Sequence, residues 1–115
     1  MTIAIPENPS DPHVIVDRIS REELEVDVAG GSNVILTDTQ AQYSCLIFSG
    51  LLTANIDVVV PAENKAWDVH NATTGAFTLT VKKSGGTGVA VTQGDKVRLR
   101  YSTYAGDVVA WTAEL

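Results

Sequence analysis

Hydrophobic and polar residues alternate with a period of two in the second half of the chain, first over residues 67–71 and again over residues 77–81. Successive side chains of a β-strand point to opposite faces, so this alternation predicts two strands that each bury one face. Gly75 lies between them and can adopt the positive φ that a tight connection needs. We therefore predict a β-hairpin in which Trp67 and Phe77 are buried on the same face.

Similar short runs predict further strands along the chain. In order, the candidates are 23–28, 34–37, 43–48, 56–60, 89–91, 96–101 and 107–112, with another possible short strand at 14–16. Residues 20–23 also have the pattern of a helix cap, but the strict alternation that follows favours a strand over 23–28. The Gly-rich segment 29–33 then predicts a second hairpin, between the strands at 23–28 and 34–37.

The whole pattern amounts to about eight or nine short strands with turn signals roughly every 8–12 residues and no convincing long helix. Such spacing is typical of an all-β domain built as a sandwich or a barrel. We favour a jelly-roll-like β-sandwich. A small Greek-key or up-and-down barrel is the alternative, because strand order cannot be derived from one sequence.

Residues 1–22 differ from the rest of the chain. Three of the four prolines lie there: Pro6, Pro9 and Pro12. Proline fixes φ, removes an N–H donor and favours extended geometry in the residue before it. We predict an extended N-terminal arm over residues 1–22 and a β-sandwich domain over residues 23–115. Ile3 and Ile5 would present apolar anchors on one side of the arm, and a frayed terminus is the alternative.

Charge and composition narrow the function. The chain has 115 residues, with 8 Lys and Arg against 14 Asp and Glu, a net charge of −6. This balance argues against binding to nucleic acid or to an anionic membrane, because both attract basic surfaces. The first residues lack the pattern of a secretory signal, and no apolar run approaches the roughly 20 residues of a membrane-spanning helix. Cys45, the single cysteine, lies in an apolar run and is predicted to be a small buried residue.

The sequence contains no arrangement of side chains that predicts catalysis. Asp68 and His70 share one face of a predicted strand, but a metal site or a proton relay would need further ligands or a nucleophile. Ser44 lacks a paired base, and Asn71 begins a formal glycosylation sequon that has meaning only after secretion. We therefore expect a non-enzymatic protein without a metal or another cofactor.

Two patterns predict contacts between subunits. Val58, Val59 and Val60 are apolar on both faces of one strand, as in a strand that is covered from both sides. Lys96, Arg98 and Arg100 form a basic stripe on the outward face of another strand. The stripe is explained by a solvated face or a protected sheet edge, or else by contact with the acidic N-terminal third of a neighbouring subunit.

A series of turn and core residues spans roughly residues 33–112. It runs Gly50-x-Leu52-Thr53-x-Asn55, Val58-x-Val60-Pro61, Trp67-x-Val69-x-Asn71-x-Thr73-x-Gly75-x-Phe77-x-Leu79-Thr80-Val81 and Gly88-Val89-x-Val91-x-Gln93-Gly94. This series resembles a β-domain found in structural proteins of tailed bacteriophages, including head-decoration, fibre and tail-tip proteins. The segment 102–107 departs from the Asp-Gly-Thr that often precedes the last strand of that domain.

The resemblance implies a virion protein, and two roles fit it. The first is a capsid decoration or cement protein on the capsid surface, assembled in the host cytoplasm as a homotrimer, with the arm attached to the major capsid protein. The second is a fibre or tail-tip module that binds a host surface glycan or protein. The chain shows no heptads or sequence repeats of a fibre shaft, which favours the first role.

Overall fold

Residues 23–111 are described by the structure, a computed structural model. The predicted arm, with Ile3, Ile5 and its three prolines, lies outside the described residues, as does the candidate strand at 14–16. The described residues form nine strands and a 3-10 helix at Gln40–Gln42. The strands are β1 (Glu23–Asp27), β2 (Val34–Ile35), β3 (Cys45–Leu51), β4 (Ile56–Val60), β5 (Lys65–Thr74), β6 (Leu79–Lys83), β7 (Val89–Val91), β8 (Lys96–Ser102) and β9 (Asp107–Ala110).

The strands form two sheets that pack against each other. One sheet has five strands in the order β1-β3-β5-β8-β9, and the other has four in the order β2-β4-β6-β7. The inward side chains of both sheets make one hydrophobic core, which includes Phe48, Trp67, Val58 and Leu79. The predicted all-β sandwich is therefore confirmed.

The first six strands wind between the two sheets in a solenoid-like coil of parallel strands. From β1 to β6 the chain alternates from one sheet to the other, and each of the first four strands pairs in parallel with the strand two positions later. Glu23 lies opposite Cys45, and Cys45 lies opposite Asp68, so each of these two steps along the chain completes one turn of the coil. After β6 the chain reverses, and β7, β8 and β9 pair in antiparallel fashion.

This connectivity differs from the jelly roll that the sequence suggested. A jelly roll consists of two Greek keys of antiparallel strands, whereas four of the seven strand pairings here are parallel. The barrel alternative is not observed over residues 23–111 either, because their strands form two separate sheets. The coil is thus a structural repeat without a matching sequence repeat.

Both predicted hairpins are wrong. β5 and β6 lie in different sheets, and the segment 75–78 carries the chain across the sandwich instead of turning it back. Trp67 is 1% exposed in the core, but Phe77 lies in the crossing segment and is 40% exposed. In the same way, β1 and β2 belong to different sheets. An alternating pattern identifies a strand but not its partner, and here the partners lie a full turn away.

Two asparagines fasten successive turns of the coil where the chain enters the four-stranded sheet. The side-chain oxygen of Asn33 accepts a hydrogen bond of 2.9 Å from the backbone N–H of Asp57. That of Asn55 accepts one of 2.8 Å from the backbone N–H of Thr78. Each bond satisfies a backbone donor beside the end of a strand, so the polar corner residues help to set the register of the parallel sheet.

Candidate functional site: the outer face of the five-stranded sheet

The strand register places two rows of side chains across the outer face of the five-stranded sheet. The first row is Glu23, Cys45, Asp68 and Arg98. The second row is Glu25, Ile47, His70 and Lys96. The residues between these positions point inward, and Leu46 and Val69 among them are buried. Each row therefore runs from an acidic residue on β1 to a basic residue on β8.

Opposite charges are separated on this face. Glu23, Glu25 and Asp27 are exposed on the edge strand β1, and Lys96, Arg98 and Arg100 lie outward on β8. Three strand spacings, together about 14 Å, separate the backbones of β1 and β8. Within residues 23–111 no salt bridge joins an acidic group of β1 to a basic group of β8. The face therefore has an acidic border and a basic strand that remain apart.

Some of these groups have partners on the same face. Arg98 Nε donates to Asp68 Oδ1 at 2.8 Å, and this hydrogen bond, with the charge of Asp68, raises the pKa of the Arg98 guanidinium. The Arg100 guanidinium lies 5.6 Å from the centroid of the Trp111 ring, a cation–π arrangement. Glu25 Oε2 accepts a hydrogen bond of 2.8 Å from Ser49 Oγ. Among the described residues, Lys96 forms no salt bridge.

A shallow depression of 370 Å³ lies between the acidic and basic sides, with Cys45, Ile47 and His70 among its lining residues. Cys45 was predicted to be buried, but it is half-buried on this outer face, and Leu46 and Phe48 point into the core instead. Because the residues after Cys45 are all apolar, the sequence pattern does not indicate which alternate side chains face inward. Burial first, and then the charges of Glu23 and Asp68, raise the pKa of the Cys45 thiol. The neutral thiol is therefore favoured.

The structure places Lys96, Arg98 and Arg100 on one outward face of β8. β8 lies between β5 and β9, but β9 pairs only with residues 99–102 of β8, so Arg100 is flanked by strands on both sides and Lys96 is not. Protection of a sheet edge therefore does not account for Arg100. Contact with another subunit remains a prediction.

The second predicted contact, Val58 to Val60 on β4, is mostly buried within its own molecule. Val58 and Val60 are 0% and 2% exposed in the core of their own molecule, so they have no surface to offer a neighbour. Only Val59 lies outward, half-buried on the four-stranded sheet. The apolar character on both faces has two causes, namely an inner face in the core and one outer valine. The predicted interface is thus narrowed to Val59 in this strand.

The surroundings of Asp68, His70 and Asn71 do not form a catalytic, metal or glycosylation site within residues 23–111. Asp68 and His70 lie on the solvated outer face, and within residues 23–111 no three His, Cys, Asp or Glu side chains are placed to hold a metal ion. Asn71, the first residue of the formal sequon, is fully buried. Its side chain bonds to the backbone and to Thr73, so it would not be accessible for glycosylation in the folded chain.

A second surface was missed by the sequence argument because Phe77 was assigned to the core. Phe77 lines a depression of 350 Å³ at the end of the sandwich, together with Ala76, Thr78, Thr92 and Gln93. Leu51, also exposed, lies close to Gly75 beside it. A partly exposed aromatic ring beside hydroxyl and amide groups is the kind of surface that can bind a polar ligand with an apolar face.

Comparisons of the chain with protein-family models, with curated proteins and with solved structures found no match. In the part of the chain that the structure describes, no helix is long and apolar enough to cross a membrane.

Proposed function

We propose that this chain is a non-enzymatic structural protein of a tailed-phage virion, and that it decorates and stabilises the capsid by attaching to the major capsid protein. The proposal is supported by the resemblance over residues 33–112 and by the two-sheet β-domain. The observation that carries it is the position of β1, which is one of the two edge strands of its sheet within residues 23–111. The segment 1–22 precedes β1 and therefore joins the domain at a border, from which it can reach a second surface without opening the core.

The arm has the composition of an attachment segment. Ile3 and Ile5 are separated by a single residue, so on an extended chain both side chains point to the same side. The three prolines restrict the free arm, which lowers the entropy lost when it is ordered on a partner. Arms from several subunits would bind together with higher effective concentration. This fits the homotrimer that the resemblance implies, with the β-domain facing outward on the capsid surface.

The proposal is tested by co-sedimentation with capsids that lack the protein. We expect the full chain to sediment with the particles and a chain without residues 1–12 to remain in the supernatant. Replacing both Ile3 and Ile5 by Asp should have the same effect as the deletion. The matched control replaces Thr2 and Ala4 by Asp, which adds the same charge on the opposite side of the arm and should leave binding largely intact. Equal sedimentation of all variants would place attachment on the β-domain and refute the role of the arm.

A second candidate function is a fibre or tail-tip module that binds a host surface glycan or protein. The exposure of Phe77 favours it, because an aromatic ring can stack against a sugar ring while Thr92 and Gln93 bond to hydroxyl groups. Binding of the labelled chain to host cells tests it. A loss of binding on Phe77→Ala, without loss of binding to capsids, would support this role over the first.

A further inference from the structure

We propose that the outer face of the five-stranded sheet is a contact between copies of this chain, in which the acidic strand β1 of one copy lies against the basic strand β8 of another. Two observations carry the inference: the opposite charges lie on a single face, and they lie at matching levels along the strands. It deepens the proposed function and rests on it for the trimer, since it names the surface through which the oligomer would form.

The strand register fixes the position of each charge along the direction of the strands. Glu25 shares a row with Lys96, and Glu23 shares the neighbouring row with Arg98. A rotation about an axis parallel to the strands does not change the position of a residue along that axis. Two copies related by such an axis can therefore bring Glu25 against Lys96 and Glu23 against Arg98, both pairs of opposite sign. A two-fold pair and the three-fold ring of the proposed trimer both satisfy this condition.

The pair of Glu25 and Lys96 is the more informative of the two. Arg98 already bonds to Asp68 in its own molecule, whereas Lys96 forms no salt bridge among the described residues. Glu25 is exposed and bonds only to the Ser49 hydroxyl in that part of the chain. Within residues 23–111 neither Glu25 nor Lys96 takes part in a salt bridge, and the backbones of their two strands lie about 14 Å apart. A second copy would supply an opposite charge to each.

A second copy of the chain fits this face better than a partner whose charges are all of one sign. Nucleic acid would be attracted by β8 but repelled by β1, and the chain as a whole has a net charge of −6. The strip between the two charged strands has Ile47 and Cys45 in its depression, so it offers apolar area to a close neighbour. Charges placed in this way mainly set the orientation and the rate of association, and the apolar strip adds buried area.

Charge reversal tests the contact on the purified full chain. We expect the unmodified protein to self-associate at micromolar concentration in sedimentation velocity and native mass spectrometry, and more weakly at high salt. Glu25→Lys and Lys96→Glu should each weaken association by about tenfold or more, because each places like charges together. The double variant should recover association, since it restores opposite charges in reverse and keeps the net charge unchanged.

Two controls separate the contact from general effects. Glu63→Lys, in the exposed loop between β4 and β5, makes the same change in net charge as Glu25→Lys and should leave association unchanged. Thermal unfolding of each variant checks that the domain still folds. A monomeric unmodified chain, or a double variant as weak as the single ones, would overturn the inference. Because no capsids are present, such a result is distinct from a failure of arm-dependent attachment.

Discussion

The side-chain amide of Asn71 donates a hydrogen bond of 2.7 Å to the backbone carbonyl of Val91, and this bond links the two sheets across the core. Asn71 lies on β5 and Val91 on β7, so the partners belong to different layers. The side-chain oxygen of Asn71 accepts a bond of 3.0 Å from the Thr73 backbone N–H and another from the Thr73 hydroxyl. A fully buried polar side chain is thus satisfied at both ends, which a core of this kind requires.

Replacing Asn71 by Leu should destabilise the domain by about 1–3 kcal/mol, because the buried Val91 carbonyl and Thr73 donors would lose their partner without water to replace it. Urea unfolding monitored by tryptophan fluorescence measures this loss. Thr80→Ala, on the outer face of β6, is the control and should change stability by less than about 0.5 kcal/mol. An equally small change for Asn71→Leu would mean that the link between the sheets does not contribute to stability.

Truncation of Trp67 and of Phe77 to Ala should change the stability of the domain by different amounts. Trp67 packs in the core and donates its indole N–H to the Ala41 carbonyl at 2.9 Å. Trp67→Ala should therefore cost about 3–5 kcal/mol or prevent folding. Phe77→Ala should cost less than about 1.5 kcal/mol, because this ring is already partly exposed. Circular dichroism during thermal unfolding compares them, and similar losses would contradict the placement of Phe77 outside the core.

The loop between β6 and β7 offers a matched pair of glycines. Gly85 and Gly88 both have positive φ, 78° and 72°. A methyl group at Gly85 would meet nothing within 4 Å, whereas at Gly88 it would collide with the backbone of Val81. We expect Gly85→Ala to cost about 1 kcal/mol from backbone strain alone and Gly88→Ala to cost clearly more. Chemical unfolding of the two variants checks the order, and equal losses would show that the close approach is unimportant.

Asp107 should make the fold sensitive to acid. Its carboxylate accepts hydrogen bonds from the backbone N–H groups of Thr87, Gly88 and Val108 at 2.7–2.9 Å. Burial acts to raise the pKa of Asp107, but these backbone donors outweigh it, and the pKa is lowered. A carboxyl with a lowered pKa in the fold stabilises it above the ordinary aspartate pKa of about 3.9, and this contribution is lost as pH falls through the lowered value.

The midpoint of thermal unfolding should therefore fall on acidification, and part of this fall should disappear in Asp107→Asn. Asp38→Asn, in the exposed turn after β2, is the control and should follow the unmodified chain. If Asp107→Asn and the unmodified chain lose stability equally over the acidic range, the carboxylate does not anchor the loop in the way that the hydrogen bonds indicate.

The strands themselves could largely be predicted from the sequence, because a period of two is a local property. The segments containing Trp67, Leu79, Val91 and Leu99 do form strands, and these residues point into the core. The partners of β1 to β4 could not be predicted, since each lies one full turn of the coil further along the chain. The hairpin interpretation assumed that neighbours in sequence are neighbours in a sheet, and the coil breaks that assumption.

The candidate surface was predictable only in part. Outward charges on β8 follow directly from the alternation of Lys96, Arg98 and Arg100 with apolar residues. Their alignment with Glu23 and Glu25 requires the register of four strands, which no local pattern contains. Cys45 was misplaced because Leu46, Ile47 and Phe48 follow it without a polar residue to mark the phase.

The most direct test of a role in the capsid is the position of this chain in purified phage particles. Electron microscopy of virions labelled with a specific antibody against the β-domain makes that measurement. Label distributed over the head, and absent from particles that lack the chain, is the result predicted for a decoration protein. Label confined to the tail, or no label on intact virions, would contradict it.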